Sequence, residues 1–198
     1  MFDIICVTNR RLCEENFISR VRSISEAKPS AIILREKDLT KTEYGILAEE
    51  IREICRVSDT RFIIHSFPET AKELGCKNLH MPLPMLRNMK ESDKEYFSEL
   101  GSSCHSISEA VEAEKLGCSY IVAGNIFATD CKKGLPGRGI EFLENVCQSV
   151  SIPVFAIGGI RENNISEIRR SGANGACIMS GFMQCENPKE FLTMLRQH

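Results

Sequence analysis

One titratable ring closes the short run Ser103-Cys104-His105, and a cationic, glycine-rich loop follows at Phe127-Ala128-Thr129-Asp130-Cys131-Lys132-Lys133-Gly134-Leu135-Pro136-Gly137-Arg138-Gly139. Imidazole takes and returns a proton near neutral pH without help from a metal. A loop rich in cations and unobstructed amides suits an anionic group. Together they point to proton transfer on a phosphorylated substrate.

Two glycine-bearing turns strengthen the phosphate half of that reading. Ile157-Gly158-Gly159-Ile160 and Met179-Ser180-Gly181 each follow an apolar run. Gly158, Gly159, Ser180 and Gly181 are the expected phosphate contacts, because a side chain would keep an anion away from the amide hydrogens. Read singly, each is also what a tight turn looks like. Arg35 and Lys37 alternate with Leu34 and Glu36, so both basic side chains point to one side as an extended segment ends. That arrangement suits an anionic ligand, and a solvated pair on a rim has the same pattern.

His105 has three competitors. His65 ends an apolar run and is expected as a pocket wall. His80 lies in or at the end of another run and is expected as a packed, hydrogen-bonded side chain. His198 is terminal. Cys131, between Asp130 and Lys132, has no partner base in view and reads as a bystander.

These residues need a frame that brings them together. Short, mostly apolar runs recur at Ile4–Val7, Ala31–Leu34, Arg61–Ile64, Asn78–Met81, Gly101–Cys104, Tyr120–Ala123, Val154–Ile157 and Gly175–Met179, as parallel strands covered on both faces do. Amphipathic segments lie between them at Thr42–Arg56, Ser108–Leu116, Gly139–Gln148 and Asn163–Ser171, with Pro188–Gln197 closing the chain. Ser106-Ile107-Ser108-Glu109 has the Ser-x-x-Glu form of a helix start, and Gly117 marks a stop. Repeated β-α units across residues 1–198 predict one α/β domain, a small (β/α)8 TIM barrel, with an open doubly wound sheet as the alternative. In the barrel, residues at the C-terminal ends of the strands form the site, which is where the singled-out residues fall.

Composition narrows the partners. With 42% hydrophobic and 26% charged residues the chain can bury a sizeable core. A net charge of −2 from interspersed residues leaves no broad basic face, so nucleic acid is not an expected partner. The start, Met1 to Val7, lacks a basic leader segment, and no run approaches the length of a membrane span. A cytoplasmic protein without a membrane partner is expected. Ten scattered cysteines with no C-x-x-C pair fit a reducing compartment. A homodimer is compatible with a barrel of this size.

Val7-Thr8, Leu34-Arg35-Glu36-Lys37-Asp38, Ser103-Cys104-His105-Ser106, Gly124-Asn125-Ile126-Phe127-Ala128-Thr129, Ile157-Gly158-Gly159-Ile160 and Gly172-Ala173-Asn174-Gly175-Ala176 together resemble the thiamine phosphate synthase and thiazole tautomerase superfamily of small TIM barrels. The synthase joins a pyrimidine diphosphate to a thiazole phosphate and, by the family pattern, holds Mg²⁺ with acids from an Asn-Asp pair after strand three and a Gly-Gln-x-Asp run after strand four. Here those places read His65-Ser66 and Pro82-Leu83-Pro84-Met85, and Ile33 and Cys131 replace a Gln and a Thr of the synthase pattern.

The tautomerase branch is the closer resemblance, through Cys104-His105-Ser106 and Thr129 to Gly139. It implies an isomerase without cofactor or metal, with His105 as acid and base. The substrate would be a carboxylated dihydrothiazole phosphate converted to the aromatic carboxythiazole phosphate. Gly158, Gly159, Ser180 and Gly181 would hold the phosphate, Arg35, Lys37 or Lys132 would face the carboxylate, and Thr129 would donate a hydrogen bond. Two alternatives stay open: the Mg²⁺-dependent synthase, and a non-catalytic regulator that binds a phosphorylated ligand.

Overall fold

The computed structural model describes residues 2–129 and 136–197. Eight parallel strands pair in sequence order, and the last pairs with the first, so the sheet closes into a barrel. They are β1 (Asp3–Val7), β2 (Ala31–Leu34), β3 (Arg61–His65), β4 (Asn78–Pro82), β5 (Glu99–Cys104), β6 (Tyr120–Gly124), β7 (Val154–Ile157) and β8 (Gly175–Ile178). Closure rules out the open doubly wound sheet. The closing register sets Asp3 against Gly175 and Cys6 against Ile178.

Alternation along the strands divides the core in two. Ile5, Val7, Ala31, Ile33, Ile63, Tyr120, Val122, Phe155 and Cys177 fill the barrel interior. Ile4, Cys6, Ile32, Leu34, Ile64, Leu79, Ile121 and Ala156 face outward under the helices. Each fully buried Ile contributes about 1.5–3 kcal/mol relative to exposure. Inside the barrel, a Cβ on Gly101 would fall 2.0 Å from the Tyr120 ring, so the absent side chain on β5 makes room for the ring from β6.

The outer layer runs α1 (Phe17–Ala27), α2 (Lys41–Ser58), α3 (Pro68–Glu73), α4 (Leu83–Arg87), α5 (Glu91–Lys94), α6 (Ile107–Lys115), α7 (Gly139–Ser149), α8 (Ile165–Arg170), α9 (Ser180–Gln184) and α10 (Pro188–Gln197). The α2 helix starts earlier than its apolar period suggests because Thr40 and Glu43 form a reciprocal capping box. It is also tied to the barrel, since the Tyr44 hydroxyl donates to Leu34 O at 2.6 Å and accepts from His65 N at 3.0 Å. At the α6 start, Ser106 accepts from Glu109 N at 3.1 Å. Among the described residues no helix is long and apolar enough to cross a membrane, and the nine described cysteines are free thiols.

The differences from the expected boundaries are local. The α8 helix is shorter than Asn163–Ser171, because Asn164 turns back to accept from Arg161 N at 2.8 Å. The β8 strand stops at Ile178, and Met179 precedes α9. After β4 there is almost no loop: Pro82 ends the strand, and the Pro-bearing first turn of α4 begins at Leu83.

Candidate active site

A cavity of about 250 Å³ opens at the C-terminal ends of the strands, where a barrel of this kind forms its site. Every strand exit but that of β1 contributes to its wall.

Arg35 and Lys37 come from the segment after β2 and both line the cavity, as their alternation requires. Glu36 between them turns the other way and is 2% exposed. It accepts from the Thr8 hydroxyl at 2.7 Å and from Arg10 N at 3.1 Å, while Thr8 Oγ1 accepts from Arg35 N at 3.0 Å. Arg10 also pairs with Asp38, holding that carboxyl well below the usual range. The exits of β1 and β2 are thus clasped together beneath the basic pair.

His105 sits just past β5, exposed, on the cavity wall. Its Nδ1 lies 2.6 Å from Gly124 O. A carbonyl only accepts, so Nδ1 carries hydrogen in that bond and Nε2 holds the lone pair of the neutral ring. The backbone is held as well, because His105 N donates to Glu109 Oε2 at 2.5 Å. The other two described histidines are buried: His65 is 5% exposed and lines the cavity, and His80 is 3% exposed below it. Burial, with His80, Arg35 and Lys37 nearby, holds His65 well below the usual imidazole value. Burial pushes His80 down to about 3. Neither buried ring picks up a proton near neutral pH.

Gly158 and Gly159 line the opposite wall with Ser180. Their φ values of +105° and +66° lie in the left-handed region. A Cβ on Gly158 would come 2.5 Å from Asn125 Cβ, and one on Gly159 2.5 Å from Ala128 O. Close approach of the β6 and β7 exits therefore demands glycine at both positions, whether or not an anion binds there. Gly181, expected beside them, is not among the lining residues; a Cβ there would meet Phe191 Cζ at 2.5 Å, so its smallness serves helix packing. Thr129 lines the cavity. Lys132, Cys131 and His198 lie outside the described residues.

Sequence reasoning did not single out Ser103, Asn125 and Glu36. Ser103 and Asn125 line the cavity, and all three residues lie inside the motifs that carry the family resemblance. The inward face of β5, with Ser103 two residues before His105, was the available signal.

Magnesium sites are built from hard oxygen ligands. The exit of β3 offers His65 and Ser66, that of β4 offers Pro82, and no Asp or Glu lines the cavity among the described residues. Nor does any cluster of His, Cys, Asp or Glu there suit a metal ion. This donor set does not fit a divalent cation.

A closed barrel whose strand ends gather an accessible imidazole, two basic side chains and a small cavity has the arrangement of a TIM-barrel site that suits a small ligand. Residues 4–182 match the family model described as thiamine monophosphate synthase, and the chain belongs to that family, an enzyme family of thiamine biosynthesis. Thiamine-phosphate synthase 2 of Streptococcus pneumoniae is 32% identical over 187 residues, covering 91% of this chain and 87% of that protein. Thiamine-phosphate synthase of Pyrococcus abyssi is 31% identical over 196 residues, covering 96% and 91%. The solved thiamine phosphate pyrophosphorylase of Pyrococcus furiosus superposes with a TM-score of 0.85 at 30% identity, covering 99% of this chain and 94% of that one.

Proposed function

We propose that this member of the family is a thiazole tautomerase, isomerising the carboxylated dihydrothiazole phosphate to carboxythiazole phosphate. The observation that carries the reading is a cavity wall that has an oriented imidazole and, among the described residues, no carboxylate. Gly158, Gly159 and Ser180 hold the phosphate, Arg35 and Lys37 face the carboxylate, and Thr129 donates a hydrogen bond.

With the Gly124 carbonyl fixing Nδ1–H, Nε2 of His105 removes the ring proton next to the carboxylate. The freed electron pair moves through the ring to the exocyclic double bond, whose terminal carbon takes a proton back from Nε2. No atom is gained or lost, and the aromatic ring supplies the driving force. The protein has only to position the substrate and relay one proton.

The relatives' names favour a second reading, coupling of a pyrimidine diphosphate with thiazole phosphate. Its metal would find no carboxylate ligand among the described residues that line this cavity. Wild type and His105→Gln assayed on the dihydrothiazole phosphate, beside a coupling assay with and without Mg²⁺, separate the two. Isomerisation lost in the variant, with no coupled product, is the expected result. Mg²⁺-dependent coupling without isomerisation overturns it, as does tight binding of thiazole phosphate with neither product, which would mark a regulator.

A further inference from the structure

Below the cavity the barrel interior holds a polar chain that the proton transfer above does not use. Tyr120 of β6 and His80 of β4 are each 3% exposed. His80 Nδ1 lies 3.1 Å from the Tyr120 hydroxyl, and His80 Nε2 lies 2.8 Å from Ser103 Oγ. Ser103 itself lines the cavity.

The direction of the chain follows from counting hydrogens. Burial keeps His80 neutral, so one ring nitrogen donates and the other accepts. Burial also pushes the Tyr120 phenol well up, so it keeps its hydrogen. Among the described residues that hydroxyl has one hydrogen-bond partner, His80 Nδ1. If Nδ1 carried the ring hydrogen, the phenol could only accept, and its own hydrogen would be buried without an acceptor, which is costly. Tyr120 therefore donates to Nδ1, and Nε2–H donates to Ser103. The Ser103 hydrogen is left pointing away from His80, into the cavity.

We propose that Tyr120 and His80 form a buried relay that fixes the Ser103 hydroxyl as a hydrogen-bond donor to an acceptor atom of the ligand at the cavity floor. Tyr120 and His80 are positioning residues; Ser103 makes the contact. Two residues before His105, the contact lies about 6–7 Å deeper along the strand than the imidazole. The relay sets specificity, because a ligand that presents its own N–H or O–H at that point leaves two donors facing each other. Only the identity of the ligand rests on the tautomerase reading.

Nitrogen-15 NMR of the unliganded protein tests the relay without reference to any reaction. His80 should carry hydrogen on Nε2 and none on Nδ1, and Tyr120→Phe should release this preference while Ser103→Ala leaves it. Hydrogen on Nδ1 in the wild type, or a tautomer unmoved by Tyr120→Phe, overturns the relay. Turnover is then followed for whichever of the two thiazole reactions the wild type catalyses. Ser103→Ala and Tyr120→Phe should each raise KM about tenfold, and the double variant should be no worse than either. Additive losses overturn the relay. His80→Gln, which keeps a donor toward Ser103, should retain what His80→Leu loses; equal losses overturn the proposal. A wild type with neither activity refutes the tautomerase reading and leaves the NMR result to decide the relay.

Discussion

The floor and the rim of the cavity use the same side chain to opposite ends. His65 and His80, from β3 and β4, stack at 5.5 Å inside the barrel and are held neutral by burial. His105, just beyond β5, is exposed and held by one carbonyl at Nδ1. A ring sunk among strand neighbours has its hydrogen bonds and charge state fixed and serves as architecture. A ring at a strand end keeps one nitrogen open to the cavity and can exchange a proton.

The sharpest way to break this contrast is to remove the rim ring. His105→Gln should lower kcat for the isomerisation by about 10²–10⁴-fold. Because the side chain is exposed, stability should stay within about 0.5 kcal/mol of wild type in chemical denaturation. A comparable loss of kcat in His65→Gln, with His105→Gln unaffected, would invert the assignment. On the opposite wall, Gly158→Ala places a Cβ 2.5 Å from Asn125 Cβ at a φ of +105°. It should cost about 1–3 kcal/mol of stability, seen as a lower denaturation midpoint, and should raise KM for the phosphorylated substrate. An unchanged midpoint would show that the two strand exits are not packed as described.

The same contrast explains what could be read from the chain. Repeats with their own period were legible: Val154–Ile157 and Pro188–Gln197 fall where their patterns place them. Arg35 and Lys37 reach one cavity because alternation is a local property. Closure was less legible, since it depends on β1 meeting β8 across most of the chain. The polar floor was hidden for the same reason. Tyr120 and His80 each look like a lone polar residue in an apolar run, Ser103 is one of two adjacent serines, and only cross-strand register brings the three into contact. Gly181 is ambiguous in sequence, because a glycine spared for Phe191 is indistinguishable there from one spared for an anion.

The floor can be sharpened by pH. In the unfolded chain His80 gains a proton as pH falls through about 6.5; in the folded protein it stays neutral down to about 3. Between those values the unfolded state binds more protons, so stability declines with acidification, by about 1.4 kcal/mol per pH unit from this ring. His65 adds a contribution of the same sign. Denaturation of wild type and His80→Gln from pH 7 to 4 should show a steeper decline for wild type, and parallel curves would mean that His80 is not buried neutral.

The smallest expected effect concerns how the rim ring is held. Ser106 caps α6 by accepting from Glu109 N, and the Glu109 carboxylate in turn accepts from His105 N. Ser106→Ala removes the cap and should cost about 1 kcal/mol in chemical denaturation. The imidazole has its own anchor at Gly124 O, on a different strand. Isomerisation kcat should therefore stay within a factor of about 10 of wild type, because the reacting nitrogen keeps its orientation. A fall as large as that of His105→Gln would show that the helix start, and not the β6 carbonyl, aims the ring.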